Sequence, residues 1–107
     1  MKLRIQGNSL RLRLSEAEVS QFADTGQVEE IIVFSPDETN ALRYTLQQTS
    51  EKEVSVRFTD NVITISIPEI MAQKWTDTDL VGFDDLIDLG NEKQLRIVVE
   101  KDLDCRH

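Results

Sequence analysis

Leu10-Arg11-Leu12-Arg13-Leu14 and Ile63-Thr64-Ile65-Ser66-Ile67 decide the fold. Each run alternates apolar and polar residues over five positions, the pattern of a strand with one buried face. They lie 53 residues apart, and shifting the sequence by that offset aligns Leu3 to Thr49 with Val56 to Asp102 without a gap. Arg4, Asn8, Glu16, Asp24, Thr25, Val28, Leu42 and Arg43 then meet Arg57, Asn61, Glu69, Asp77, Thr78, Val81, Leu95 and Arg96. The apolar pattern repeats with them. Ile5 meets Phe58, Phe22 meets Trp75, and Leu42, Tyr44 and Leu46 meet Leu95, Ile97 and Val99. Such self-similarity points to two copies of one structural unit.

Each copy reads as strand, turn, strand, helix, strand, turn, strand. Gly7-Asn8 and Asp60-Asn61 carry hairpin-turn chemistry between alternating runs. Ser15 with Glu18 fits a capping box, and Pro68 suits a first helical turn, where a missing N–H loses no partner. Val19 with Phe22, and Met71 with Trp75, give each short helix one apolar face. The third strands are expected near Val28 and Val81, and the fourth over Ala41 to Gln48 and Gln94 to Glu100.

A unit of about 50 residues sits near the lower limit for an independent core, so two copies should shield each other's apolar faces. The expected fold is α+β: a pseudo-twofold β-barrel or barrel-like sandwich from two ββαββ repeats with one short helix each. Repeat 1 covers about 1–49, the linker 50–53, and repeat 2 about 54–103, within a single domain.

The run Val62-Ile63-Thr64-Ile65-Ser66-Ile67-Pro68-Glu69, a strand entering Ile-Pro-Glu and a short helix, resembles the swapped-hairpin barrel of the AbrB, SpoVT and MazE-type regulators and antitoxins. In that family two units form an intertwined homodimer, so the resemblance implies a fused pseudo-dimer here. In repeat 1 Leu14-Ser15-Glu16 stands at the matching place. The chain as a whole, from Met1-Lys2-Leu3-Arg4-Ile5 to Val99-Glu100-Lys101-Asp102-Leu103, is also similar to a family of small uncharacterised bacterial proteins. That similarity implies no activity.

Twelve basic residues against 20 acidic ones leave a net charge of -8, which works against coating phosphates on nucleic acid. No apolar run reaches the roughly 20 residues of a membrane span. A lone cysteine, Cys105, excludes an internal disulfide framework, and a cytoplasmic location without membrane contact is expected.

Three features invite a functional reading. Lys2, Arg4, Arg11 and Arg13 should project outward from adjacent strands as a basic stripe, and the barrel regulators resembled here bind DNA with basic residues of this region. Repeat 2 offers Ser55, Arg57, Thr64 and Ser66 instead, so most of the stripe lacks a twofold mate. Asp77, Asp79, Gly82, Asp85 and Asp88 fall at positions 1, 3, 6, 9 and 12 of a calcium-loop template, but Val81 holds position 5 and Asp88 replaces the usual bidentate glutamate. Cys105 and His107 give two soft ligands where zinc requires four.

No nucleophile has an identifiable base beside it, no glycine loop cradles phosphate, and no cofactor is expected. The leading expectation is a non-enzymatic interaction or regulatory domain binding a protein partner. A swapped-hairpin-type DNA-binding regulator is the alternative, and a metal- or small-ligand-binding domain the second alternative.

Overall fold

The computed structural model describes residues 1–102. The end of repeat 2 at residue 103, together with Cys105 and His107, lies outside the described residues. The order is β1 (Lys2–Ile5), β2 (Ser9–Leu14), α1 (Glu16–Thr25), β3 (Gln27–Val33), β4 (Ala41–Thr49), β5 (Ser55–Thr59), β6 (Val62–Pro68), α2 (Glu69–Asp77), β7 (Gly82–Gly90) and β8 (Lys93–Lys101). The expected ββαββ succession is therefore present twice.

The hairpins are exchanged between the halves. One sheet runs β1-β2-β8-β7 and the other β3-β4-β6-β5, so each takes one hairpin from each half. The exchange is sealed by two parallel pairings. Leu12 lies opposite Val99 in β2–β8, and Leu46 lies opposite Ile65 in β4–β6. The 53-residue offset converts one pair into the other, so the two sheets are built alike from the two similar halves. Equivalent main-chain bonds join the exchanged hairpins. The Asn8 carbonyl accepts from the Arg96 amide at 3.1 Å, and the Asn61 carbonyl accepts from the Arg43 amide at 3.0 Å.

Leu12, Leu14, Phe22, Leu46, Ile65, Ile67, Trp75, Ile97 and Val99 are fully buried and come from both halves. Each such side chain contributes roughly 1.5–3 kcal/mol through removal from water. The parity read from the sequence holds: Leu12 and Leu14 point in, Arg11 and Arg13 point out.

Three expectations need correction. The sheets do not close into a barrel. Stacked sheets lie about 10 Å apart, roughly twice the spacing of paired strands, and the Phe22 and Trp75 rings fill the interior, so β1, β7, β3 and β5 remain edges. Pro68 closes β6 and serves as the N-cap of α2 instead of entering its first turn. The gapless alignment slips by two residues at the third strands. Val28 pairs with Leu46, but Phe83, not Val81, pairs with Val99. The indole of Trp75 explains the slip. Its N–H donates to the Val81 carbonyl at 3.0 Å and its ring meets Phe83 edge-on, a demand that Phe22 does not make.

Candidate functional site: a charged outer face

β1, β2 and β8 place the basic residues. Alternation sends Lys2 and Arg4, then Ser9, Arg11 and Arg13, then Arg96, Val98 and Glu100 to the outer face of the first sheet. Arg4 lies directly across from Arg11, and Lys2 from Arg13. The predicted stripe Lys2, Arg4, Arg11 and Arg13 is thus assembled on one face.

Acidic residues from β8 and its end partly neutralise it. Lys2 Nζ pairs with Asp102 Oδ2 at 2.8 Å. Arg13 Nε and Arg11 Nη1 both reach Glu100 Oε1, at 2.6 and 3.2 Å. Burial pushes the Glu100 carboxyl up, but Arg13 and Arg11 outweigh it and hold the group below the usual glutamate range. Arg4 has no ion-pair partner among the described residues.

Sequence reasoning missed Arg96. It lies 85 positions beyond Arg11, and only the parallel β2–β8 pairing, with Ser9 opposite Arg96, brings it into the group. Its identity with Arg43 under the repeat was the available signal. Arg4, Gln6, Ser9, Arg11, Arg96 and Val98 line a concavity of about 280 Å³, with no carboxylate among its described lining residues. Arg96 is held from the far side by Asp84 at 2.8 Å. The other sheet keeps Arg57 and Arg43 at the positions of Arg4 and Arg96, but Thr64 replaces Arg11.

The acidic series is laid out along a strand. Asp77 ends α2, Asp79 lies in the connection, and Asp85 and Asp88 belong to β7. At about 3.3 Å per residue a strand separates such carboxylates instead of gathering them. Asp85 accepts from the Leu86 amide and Asp88 from the Gly90 amide. Among the described residues no group of three or more His, Cys, Asp or Glu could hold a metal ion. Gly82 has a packing reason: a Cβ there would stand 2.5 Å from the Val99 carbonyl and 2.8 Å from Glu100 Cβ.

A second cluster lies near α1. The Met1 ammonium contacts Glu18 and pairs with Glu30 Oε1 at 2.8 Å, and the Tyr44 hydroxyl donates to the Met1 carbonyl at 2.8 Å. Burial lowers the ammonium, but the two carboxylates outweigh it and raise it above its ordinary value. Tyr44 is raised by burial and by Glu30 and Glu18.

A consecutive apolar run lies at one sheet edge. Ile31, Ile32, Val33 and Phe34, at the far end of edge strand β3, are 43, 48, 45 and 61% exposed.

These features define a small α+β protein of two four-stranded sheets and two similar halves, with a basic cluster on one sheet face and a consecutive apolar run at the end of β3. Residues 1–107 match the model of a family described as Family of unknown function (DUF7009), and the chain belongs to that family. No curated protein and no solved structure matches it. No helix among the described residues is long and apolar enough to cross a membrane.

Proposed function

We infer that the chain is a non-enzymatic interaction domain of the cytoplasm that binds a protein partner, and that the partner adds an extended segment to the free edge of β3. One observation carries this reading: β3 leads into four consecutive exposed apolar residues, Ile31 to Phe34, whereas the other edges expose theirs singly, Ile5 on β1, Phe58 on β5, and Leu86 and Leu89 on β7. Exposed edges template strand addition and are normally blunted by charge, shortness or bulges. β1 has four residues and carries Lys2 and Arg4. β5 has five and carries Arg57. β7 carries Asp84, Asp85 and Asp88 and is irregular between Asp88 and Gly90. β3 has no such device from Ile31 onward, and Phe34 extends the apolar run. Main-chain hydrogen bonds to β3 would supply affinity, and the side chains of Ile31 to Phe34 would give the partner apolar anchors on both faces.

The test is paired capture from host extract with the wild-type chain and the Ile32→Lys variant. A partner retained by the first and lost by the second, yet still retained by Arg4→Gln on the opposite sheet, supports the reading. Identical capture by wild type and Ile32→Lys contradicts it.

A DNA-binding regulator is the second reading, favoured by the alignment of Lys2, Arg4, Arg11 and Arg13 on one face and by the hairpin exchange, which suits a fused swapped-hairpin unit. Glu100 and Asp102 count against it, because they engage Lys2, Arg11 and Arg13. Salt-dependent retention on duplex DNA is its measure.

A further inference from the structure

We propose that the concavity between β1, β2 and β8 is a binding site for a phosphate monoester, held by the guanidinium groups of Arg4, Arg11 and Arg96. Two like charges face each other at its edge. Arg4 and Arg11 are directly opposed across β1 and β2, an arrangement that destabilises a sheet when nothing lies between the charges. Arg96 reaches the same hollow from β8 through its register position beside Ser9. Three arginines therefore line about 280 Å³ of space, with no carboxylate among the described lining residues. The acids that compensate them, Glu100 and Asp84, hold Arg11 and Arg96 from outside the hollow, and Arg4 has no ion-pair partner among the described residues.

Charge and shape together select the ligand. Among its described lining residues the hollow gathers three cations, Arg4, Arg11 and Arg96, and no carboxylate. A phosphate monoester near neutral pH carries up to two negative charges and three acceptor oxygens. Planar guanidinium forks suit those oxygens better than ammonium groups do, because each can donate two parallel hydrogen bonds. Gln6, at the β1–β2 turn, Ser9 and Val98 complete the lining. A carboxylate would engage one fork and leave the opposed pair unrelieved.

The comparison between halves sharpens the assignment. Under the repeat, Arg57 and Arg43 take the places of Arg4 and Arg96, but Thr64 stands for Arg11 and Val62 for Ser9. The second sheet thus serves as an internal control, with the flanking arginines and without the central one.

The test is an NMR titration of the 15N-labelled chain with inorganic phosphate and phenyl phosphate, with acetate and duplex DNA as comparison ligands. The proposal expects saturable shifts at Gln6, Ser9, Arg11 and Arg96 with both phosphates and much weaker ones with acetate. It expects Arg4→Gln to weaken phosphate binding about tenfold, the loss of one charge-assisted contact, and Arg57→Gln to leave it unchanged. Thermal melting gives a separate readout. Phosphate should raise the melting temperature of the wild type by linkage. Arg4→Gln should melt higher than wild type without phosphate, because the opposed charges are relieved, and should lose the phosphate-dependent rise. Absence of saturable shifts, equal response to acetate, or equal loss in Arg57→Gln overturns the proposal. Duplex DNA bound in clear preference to both monoesters also overturns it and favours the regulator. Because β3 lies in the other sheet, loss of partner capture in Ile32→Lys leaves this outcome untouched.

Discussion

Phe22 and Trp75, equivalent residues of the two halves, meet edge-to-face at the centre of the molecule, with ring centroids 5.9 Å apart and planes inclined at 64°. Each projects from its own short helix, and both are fully buried. The likeness of the two halves therefore ends in a physical contact, and one half's anchor is the other half's packing partner.

Truncating either ring should leave a cavity shared by both halves. Trp75→Ala is expected to cost about 3–5 kcal/mol, within the range for large aromatic truncations. Trp75→Phe should cost less but more than its volume alone implies, because the Val81 carbonyl loses the indole N–H. Urea unfolding followed by far-UV circular dichroism measures both, and a loss confined to one half, seen as two separate transitions, would argue against the shared core.

Gly82 is required by close approach. Its missing side chain lets β7 lie against Val99 and Glu100, and a Cβ would collide with backbone at 2.5 Å. Gly82→Ala should destabilise by about 1–3 kcal/mol, as overpacked sites do. Equal midpoints in urea for the variant and the wild type would contradict this.

The α1 capping box is complete. Ser15 Oγ accepts from the Glu18 amide at 3.2 Å, and the Glu18 carboxylate accepts from the Ser15 amide at 2.8 Å. α2 has no side-chain cap. Ser15→Ala should cost about 1 kcal/mol, the usual value of an N-cap, measured by the same unfolding experiment.

Stability should fall on both sides of neutrality for different reasons. Burial pushes Glu18 up, but the Met1 ammonium and Ser15 outweigh it, and Glu100 is lowered by Arg13 and Arg11 in the same way. A carboxyl depressed in the folded state stabilises above its unfolded pKa, and that stabilisation is lost as pH falls through the folded value. The Met1 ammonium is raised, so its contribution is present below its ordinary pKa and lost as pH rises through the folded value. A plateau from about pH 5 to about pH 8 is expected from the ordinary values of these groups. Glu18→Gln should flatten the alkaline limb and part of the acid limb, as read from urea midpoints across pH. Unchanged limbs would remove the Met1–Glu18 pair from the account.

The sequence carried some of this structure and concealed the rest for physical reasons. Strict alternation at Leu10 to Leu14 and at Ile63 to Ile67 revealed strand type and buried face, and Ser15 with Glu18 revealed a helix start. Partner choice was hidden. A β2 strand paired within its own half and one paired with β8 present the same alternation, so register and exchange are set by tertiary packing. The slip at β7 was hidden because Val28 and Val81 match by identity, while the structure matches Val28 with Phe83 through the needs of the Trp75 indole. The outward stripe Lys2, Arg4, Arg11 and Arg13 was legible from parity alone. Arg96, Glu100 and Asp102 were not, since they join the face only through β2–β8 pairing.

Hairpin exchange builds both the shared core and the charged outer face, and inter-strand NOEs measure it. The structure predicts cross-strand contacts linking Leu12 to Val99 and Leu46 to Ile65, as required by the parallel β2–β8 and β4–β6 pairings. Contacts linking Leu12 to Leu46 and Ile65 to Val99 as paired strand neighbours, each half closed on itself, would contradict it.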